Sequence, residues 1–555
     1  MMRFALLYAL AAPSSALACG GFFCDSVQPV DQSGETIVFG VDPDTSTVEM
    51  HVQVEYEGPS ESFAWVLPVQ GEPDVFLSHS ALFSALPARV PTTFRTVNDW
   101  NHCADMGFGT GSGTGTATGG GSGTGTGTGG SSPADEADEG VEVLEEQVVG
   151  AYEVTTLAAD DPEVLVEWLQ TNGYDVPEAL TGVLAPYVAN DMNFIALKLR
   201  KGTGEGKLAP LGLRYSGTTP AIPIELTSLA AQPDMPLIVY LFGAARAVPL
   251  NYLHVRLNPL AIDYWNNGSN FQEAFAKAAN EAGGQAFMTD QFQETSVLQN
   301  SVWQRGQFTE DELRGADDAL SFVHRLPTAG FTFTDEVLSV LRRHIAVPPE
   351  MVGDDLAMFE CPGCYPEAYE GQVLDSEAVV DELVEVEVEP RRQAEQLFDD
   401  HAFVTRLRSS MSPDEMTVDP RFGFNGRLSA PDDLSVMDQY YVCDRGSRLT
   451  GTTRRELSYP LVEGLTIPSE TALAARGMSE FDYVQSQTGG TAALVIEQLG
   501  VDGAGTVIVD NRDAMDALSG DEMASAGCGC SNAGAGSLLG GLPLLLLGMV
   551  RRRRA

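Results

Sequence analysis

Thr47-Val48-Glu49-Met50-His51-Val52-Gln53-Val54-Glu55-Tyr56 alternates apolar and polar residues without a break. Val48, Met50, Val52, Val54 and Tyr56 share one face, and Thr47, Glu49, His51, Gln53 and Glu55 the other. A period of two is the pattern of a β-strand with one buried face, which puts His51 on the polar, solvated side. Residues 35–41 precede it with Pro43 and Asp44 in the turn, and 63–69 follow as a more fully apolar run. The N-terminal part therefore reads as an antiparallel β meander of three strands.

Outward from this meander the pattern becomes mixed. Asp161-Pro162 opens a helix with Val164, Leu165, Trp168 and Leu169 on one stripe, stopped at Gly173, and a second helix starts at Pro177. Strand-like runs cover 193–200, 221–226, 237–242 and 252–257, and helices cover 271–282, 317–325 and 334–344. The alternation of Leu383-Val384-Glu385-Val386-Glu387-Val388 predicts another strand, ended by Pro390. Residues 391–411 predict an amphipathic helix with Ala394, Leu397, Phe398, Phe403, Val404 and Leu407 on its stripe, and late strands fit 493–498 and 506–510. Strands and helices arrive in blocks rather than in strict alternation, so the fold class is α+β.

At 555 residues, more than one compact unit is expected. Residues 1–18 carry Arg3, a short apolar run and Ala16-Leu17-Ala18, the layout of a cleavable signal peptide. Residues 19–106 are the β-rich start of the main domain. From Gly107 to Ser132 the chain is almost wholly Gly, Thr and Ser, and it turns acidic up to Glu146, so 107–146 reads as a disordered insertion. Its Gly125-x-Gly127-x-x-Gly130 match lacks the strand and helix a dinucleotide site needs. Residues 147–375 complete the main domain, 376–511 form a second α+β lobe or domain, and 512–527 are a spacer.

The chain has 78 acids against 32 bases, a net charge of −46. Such a surface repels phosphate backbones, which excludes nucleic acid as a partner. After an export signal, six body cysteines, Cys19, Cys24, Cys103, Cys361, Cys364 and Cys443, are candidates for disulfides of open connectivity, and Cys19 is alternatively a lipidation site. Cys361-Pro362-Gly363-Cys364 has the spacing of a redox or metal motif. A thioredoxin-like site would need a strand before it, for which 356–359 is available, and a helix after it, which Tyr365-Pro366 and Gly371 oppose. A zinc site would need a second ligand pair, which the sequence lacks. A structural disulfide is the plainer reading. There is no H-E-x-x-H, G-x-S-x-G or P-loop, so no catalytic residue, metal ligand or cofactor is assigned.

The tail carries the densest signal. Cys528-Gly529-Cys530 precedes 533–550, 18 residues without a charge, and Arg551, Arg552, Arg553 and Arg554 follow. As a helix that run spans about 27 Å, enough for a hydrocarbon core, with the arginines held on the cytoplasmic side. Cysteine motif, apolar helix and terminal arginines in this order resemble the MYXO-CTERM sorting signal. The resemblance implies export machinery and a sorting protease as partners, with display at the cell surface after initial anchoring in the inner membrane. Ala18-Cys19-Gly20-Gly21-Phe22-Phe23-Cys24 and Phe63-Ala64-Trp65-Val66-Leu67-Pro68-Val69 resemble an uncharacterised secreted family, domain of unknown function 2330. Thr405-Arg406-Leu407, Met411-Ser412 and Met416-Thr417-Val418-Asp419-Pro420 are similar to the later part of such proteins. The family brings no activity. A binding, display or envelope-structure role is expected, with a hydrolase built on dispersed carboxylates or a thiol–disulfide redox protein as alternatives. Intact-mass analysis of surface material from the native host tests the tail. Processing is expected to leave a C-terminus near residues 528–532, and Cys528→Ala with Cys530→Ala is expected to abolish display. A chain still ending in Arg-Arg-Arg-Arg-Ala would instead be a plain membrane anchor.

Overall fold

The computed structural model describes residues 22–23, 34–54, 64–99, 140–150, 152–174, 176, 179–199, 209–229, 231–443 and 452–519. Helices and strands are mixed in several sheets, so the chain is α+β.

The centre is a ten-stranded sheet. In spatial order its strands are Thr506–Asp510, Ala493–Gln498, Leu253–Leu257, Ala286–Glu294, Phe403–Met411, Met235–Gly243, Glu35–Asp42, Thr47–Val54, Leu211–Ser216 and Asp74–Leu77. Two neighbouring pairs run parallel, Met235–Gly243 with Glu35–Asp42 and Leu253–Leu257 with Ala286–Glu294. A second, antiparallel sheet has the order Phe22–Phe23, Ala64–Val69, Asn193–Leu199, Tyr152–Ala159, Val141–Val149. Helices Pro162–Thr171 and Leu180–Val188 cover one of its faces through Leu165, Leu169, Leu180 and Leu184 against Val66, Leu157 and Phe194. Asp161 caps the first of these helices by accepting from the Glu163 and Val164 amides, and Gly173 beyond its end takes φ +77°, open to a residue without Cβ. A four-stranded sheet, Val462–Pro468, Thr452–Tyr459, Val436–Cys443, Arg95–Asp99, lies on a separate core.

Several expectations are corrected. The hairpin of 35–42 with 47–54 forms in full register, but Ala64–Val69 leaves it to pair with Asn193–Leu199, so no three-stranded meander exists. His51 is buried, not solvated: Ser78 and Glu49 bond its two ring nitrogens at 2.8 and 2.9 Å. The polar face of this strand is covered at His51, which bonds Glu49 beside it on the same face. Residues 221–226 make one bridge, Ala221 to Arg421, and then a helical turn at Ile224–Thr227. Pro220 and Pro223 remove the donors a strand would need there. Residues 383–388 are helical: Ser376–Leu383, a π-turn at Val384–Val388 and Glu389–Asp400 run on continuously. Burial of Val380, Leu383, Val386 and Glu387 follows the helical face and overrides the Val/Glu alternation. The helix expected over 391–411 ends at Asp400, and Phe403–Met411 is a strand. The proposed insertion, 107–146, ends too late, because Val141–Val149 pairs with Tyr152–Ala159. Residues 376–511 do not stand apart, since they supply a central strand and the last two strands at one end of the ten-stranded sheet.

The central strand holds a buried charge. Arg406 is 1% exposed and donates to both Asp290 oxygens at 2.8 and 2.9 Å, to the Val90 carbonyl at 2.6 Å and to Thr92. Arg408, two residues along on the same strand face, reaches Asp290 at 2.5 Å. The ladder shifts register between Thr289 and Gln291, so Asp290 is the extra residue of a bulge, aimed at both guanidiniums. Burial alone would raise the Asp290 carboxyl, but Arg408 and Arg406 outweigh it and hold it below the usual carboxylate range. Arg406→Leu leaves Asp290 desolvated with half its partners, and chemical denaturation is expected to show a loss of about 3–5 kcal/mol.

Candidate functional site

A cavity of about 630 Å³ opens where the two large sheets meet. The ten-stranded sheet contributes Met50 and Tyr215, the five-stranded sheet Leu67, Pro68 and Val69, and helix Leu180–Val188 supplies Pro186 and Tyr187. Two loops close it, one around Ala221–Glu225 and one at Val418–Arg421. Walls that are mostly apolar with a few convergent polar groups are the usual build of a small-molecule site.

Asp419 is the centre of its polar part. Its Oδ1 accepts from the Tyr187 hydroxyl at 3.0 Å and from the Glu225 amide at 3.2 Å. The loop bearing it is braced from both sides. Asn251 donates to the Asp419 carbonyl at 2.7 Å and accepts from the Arg421 amide at 2.8 Å, while the Tyr252 hydroxyl donates to the Val418 carbonyl at 2.6 Å. Burial pushes the Asp419 carboxyl up, the bonds from Glu225 and Tyr187 oppose this, and the balance stands at about 6. Burial also raises the Glu225 carboxyl, and burial beside Asp419 raises the Tyr187 phenol. The cavity thus presents two carboxyl groups that hold their protons unusually well, on a backbone that cannot easily shift.

A second cluster, His79, Glu336 and Glu387, brings potential metal-ligand atoms within 4.8 Å of one another. Its wiring opposes a metal. The Ala81 amide donates to His79 Nδ1, which caps helix Ser80–Arg89, so the ring proton sits on Nε2 and goes to Glu387 at 2.9 Å. Glu387 also accepts from Thr334 and Arg391. His79 and Glu387, with Thr334 and Arg391, form a hydrogen-bond network that ties three helical segments together.

Cys361 and Cys364 form a disulfide. The strand the redox reading required at 356–359 is a helix, Leu356–Glu360, and short 3₁₀ turns follow, Pro362–Cys364 and Pro366–Tyr369. Cys443 ends a strand, and its side chain is outside the described residues. Cys19, Cys24, Cys103, Cys528, Cys530, Arg551, Arg552, Arg553 and Arg554 lie outside them too. Among the described residues no helix is long and apolar enough to cross a membrane, and the tail expected to do so is not among them. Neither of the candidates whose side chains are described, Cys361 and Cys364, lines the cavity. Asp419 was within reach of the sequence, in the Met416–Pro420 run, but nothing marked it as buried. Tyr187 and Glu225 carry no local signal at all.

The profile of a family described as an uncharacterized protein conserved in bacteria, domain of unknown function 2330, matches residues 13–345. Met50, Tyr187 and Glu225 fall inside this span and Asp419 outside it. No curated protein matches the chain. Among solved structures, a mutated baculovirus P35 after caspase cleavage matches at 11% identity, over 41% of this chain and 76% of that one, with a TM-score of 0.22. A score that low supports no argument about fold or activity.

The raised Asp419 carboxyl has a signed consequence for stability. The folded chain keeps a proton at about 6 that the unfolded chain releases near 3.8, so this group's contribution falls as pH rises through that window and is flat above it. Asp419→Asn keeps an acceptor for Tyr187 and removes the ionisation. Urea denaturation is expected to show it close to wild type at pH 4 and more stable by up to about 3 kcal/mol at pH 8. Glu35, pushed by burial to about 7, leaves a residual slope of the same sign in both proteins.

Proposed function

The chain belongs to this family of uncharacterized proteins conserved in bacteria, and we propose that it is an exported, surface-held binding protein whose ligand occupies the Asp419 cavity. The observation that carries the reading is the pairing of a 630 Å³ apolar cavity with one rigidly held, proton-retaining carboxyl. A ligand with an apolar body and a single hydrogen-bonding head fits such a site: the walls bury the body, and Asp419 with Tyr187 orients the head. Export is supported by the N-terminal pattern, the acidic surface and the cysteine–helix–arginine tail. The tail supplies the membrane contact, and the acidity keeps a displayed protein soluble.

A hydrolase is the second reading, and one observation favours it. Two carboxyl groups with raised proton affinity share the cavity, the setting in which one carboxyl serves as acid and the other as base. Binding is preferred because three donors, the Tyr187 hydroxyl and the Glu225 and Ile224 amides, already orient Asp419, and none of the described residues lining the cavity is a His, Ser or Cys that it could activate.

Binding of the neutral dye Nile red, followed by its fluorescence, separates the two. Saturable binding is expected in the wild type and its loss in Ala221→Trp, which fills the cavity, with Asp419→Asn still binding. Hydrolysis of chromogenic esters or glycosides that disappears in both Asp419→Asn and Glu225→Gln would install the hydrolase instead. Absence of both signals removes the cavity from the function.

A further inference from the structure

Three arginines are buried among the described residues: Arg246, Arg406 and Arg455. Two have carboxylate partners. Arg406 is clamped on Asp290, and Arg455 reaches Glu480 at 2.9 Å. Arg246 is 7% exposed, yet no carboxylate oxygen of the described residues comes within ion-pair distance of its guanidinium. The nearest acids are committed elsewhere, Asp432 to Arg256 at 2.6 Å and Glu497 to His254 at 3.0 Å. Both act on Arg246 only at longer range, and a buried guanidinium without a counter-charge at ion-pair distance is unfavourable, so the site calls for an anion that is not part of the protein.

The donors that remain define its shape. Arg246 Nη1 donates to the Ser429 carbonyl at 2.8 Å. Nη2 lies 3.5 Å from His254 Nε2, a nitrogen whose lone pair already accepts from the Thr289 amide at 3.2 Å. Nε has no acceptor at all. Nε–H and Nη2–H form the side edge of the guanidinium, the two parallel donors that match the two oxygens of a carboxylate or phosphate. Arg246 lines a cavity of about 300 Å³, together with His254, Thr289, Arg256 and Arg427 and the two acids Asp432 and Glu497. Three arginines against two acids leave this lining with one positive charge in excess, in a chain of net charge −46. The two cavities share no lining residue, so this site stands whether or not the Asp419 reading does.

We propose that this cavity binds a small oxyanion, the carboxylate or phosphate group of a ligand, bidentately on the Nε/Nη2 edge of Arg246. Arg256 and Arg427 add positive potential from the same lining. His254 is a positioning residue: the Glu497 contact at 3.0 Å fixes its proton on Nδ1, and its Nε2 then holds Thr289 in place.

The test is isothermal titration of the whole exported protein with inorganic phosphate and, separately, with acetate, at an ionic strength held constant with chloride. Saturable one-to-one binding of at least one of them is expected, and the stronger of the two assigns the head group. Arg246→Lys keeps the charge but loses the fork, and is expected to weaken that binding by about tenfold or more. Should that variant fail to fold, the wild type answers by itself: phenylglyoxal labelling of Arg246, read by peptide mass spectrometry, should be slowed by the bound anion. Neither anion binding beyond chloride, unchanged affinity in Arg246→Lys, or labelling of Arg246 indifferent to both anions would each overturn the proposal.

Discussion

The contact between Arg406 and Asp290 is the constraint on which the centre of the molecule depends. Phe403–Met411 sits between Ala286–Glu294 and Met235–Gly243, and it joins residues more than a hundred positions away in the chain to both. A cationic side chain with 1% exposure in that position is tolerable only with its counter-charge delivered at hydrogen-bond distance. The bulge at Asp290 does this. Without the extra residue the carboxylate would alternate to another place in the ladder, and neither Arg406 nor Arg408 would be neutralised.

From that bulge the rest of the architecture can be followed. The same guanidinium holds Val90 and Thr92, and so fixes where the chain leaves helix Ser80–Arg89 and enters the strand Arg95–Asp99 of the four-stranded sheet. On the other side, Thr289 stands next to Asp290 and bonds His254 of the neighbouring strand, which in turn bonds Glu497. The wall of the Arg246 cavity is therefore a continuation of the central ladder and inherits its rigidity. The Asp419 loop is rigid for a different reason. Asn251 and Tyr252 grip it at three points, and the chain from Phe422 onward pairs with Arg246–Pro249.

The sequence was legible where one face of an element meets water. Pro162–Thr171 and Asp335–His344 form close to where periodicity places them. It misled where both faces are covered. In Phe403–Met411, Thr405, Arg406, Ser409 and Ser410 are all buried, so polarity no longer reports direction, and the apolar residues left over happen to fit a helical stripe. His51 failed in the same way, since an alternating polar face predicts solvent only if nothing packs over it. Neither candidate site could be found locally. The Asp419 cavity unites residues from 50 to 421 and the Arg246 cavity residues from 246 to 504, and a buried carboxyl or an unpaired guanidinium is a property of the assembled surroundings.

The two cavities differ in what the acidic chain does to them. A net charge of −46 repels any anion at long range, but salt at physiological strength limits that field to roughly 8 Å. Attraction by Arg246 is likewise confined to short distance, and it works through two directed donors in a medium less polar than water. Selectivity at such a site comes from the match of two oxygens to two N–H groups, and not from accumulation of anions nearby. The Asp419 cavity faces the opposite situation: burial first, and the charge of Glu225 beside it, make ionisation of its carboxyl harder. Short-range geometry therefore governs both cavities: the fork of Arg246 in one, and burial beside Glu225 in the other, which keeps Asp419 closer to neutral than an exposed carboxyl.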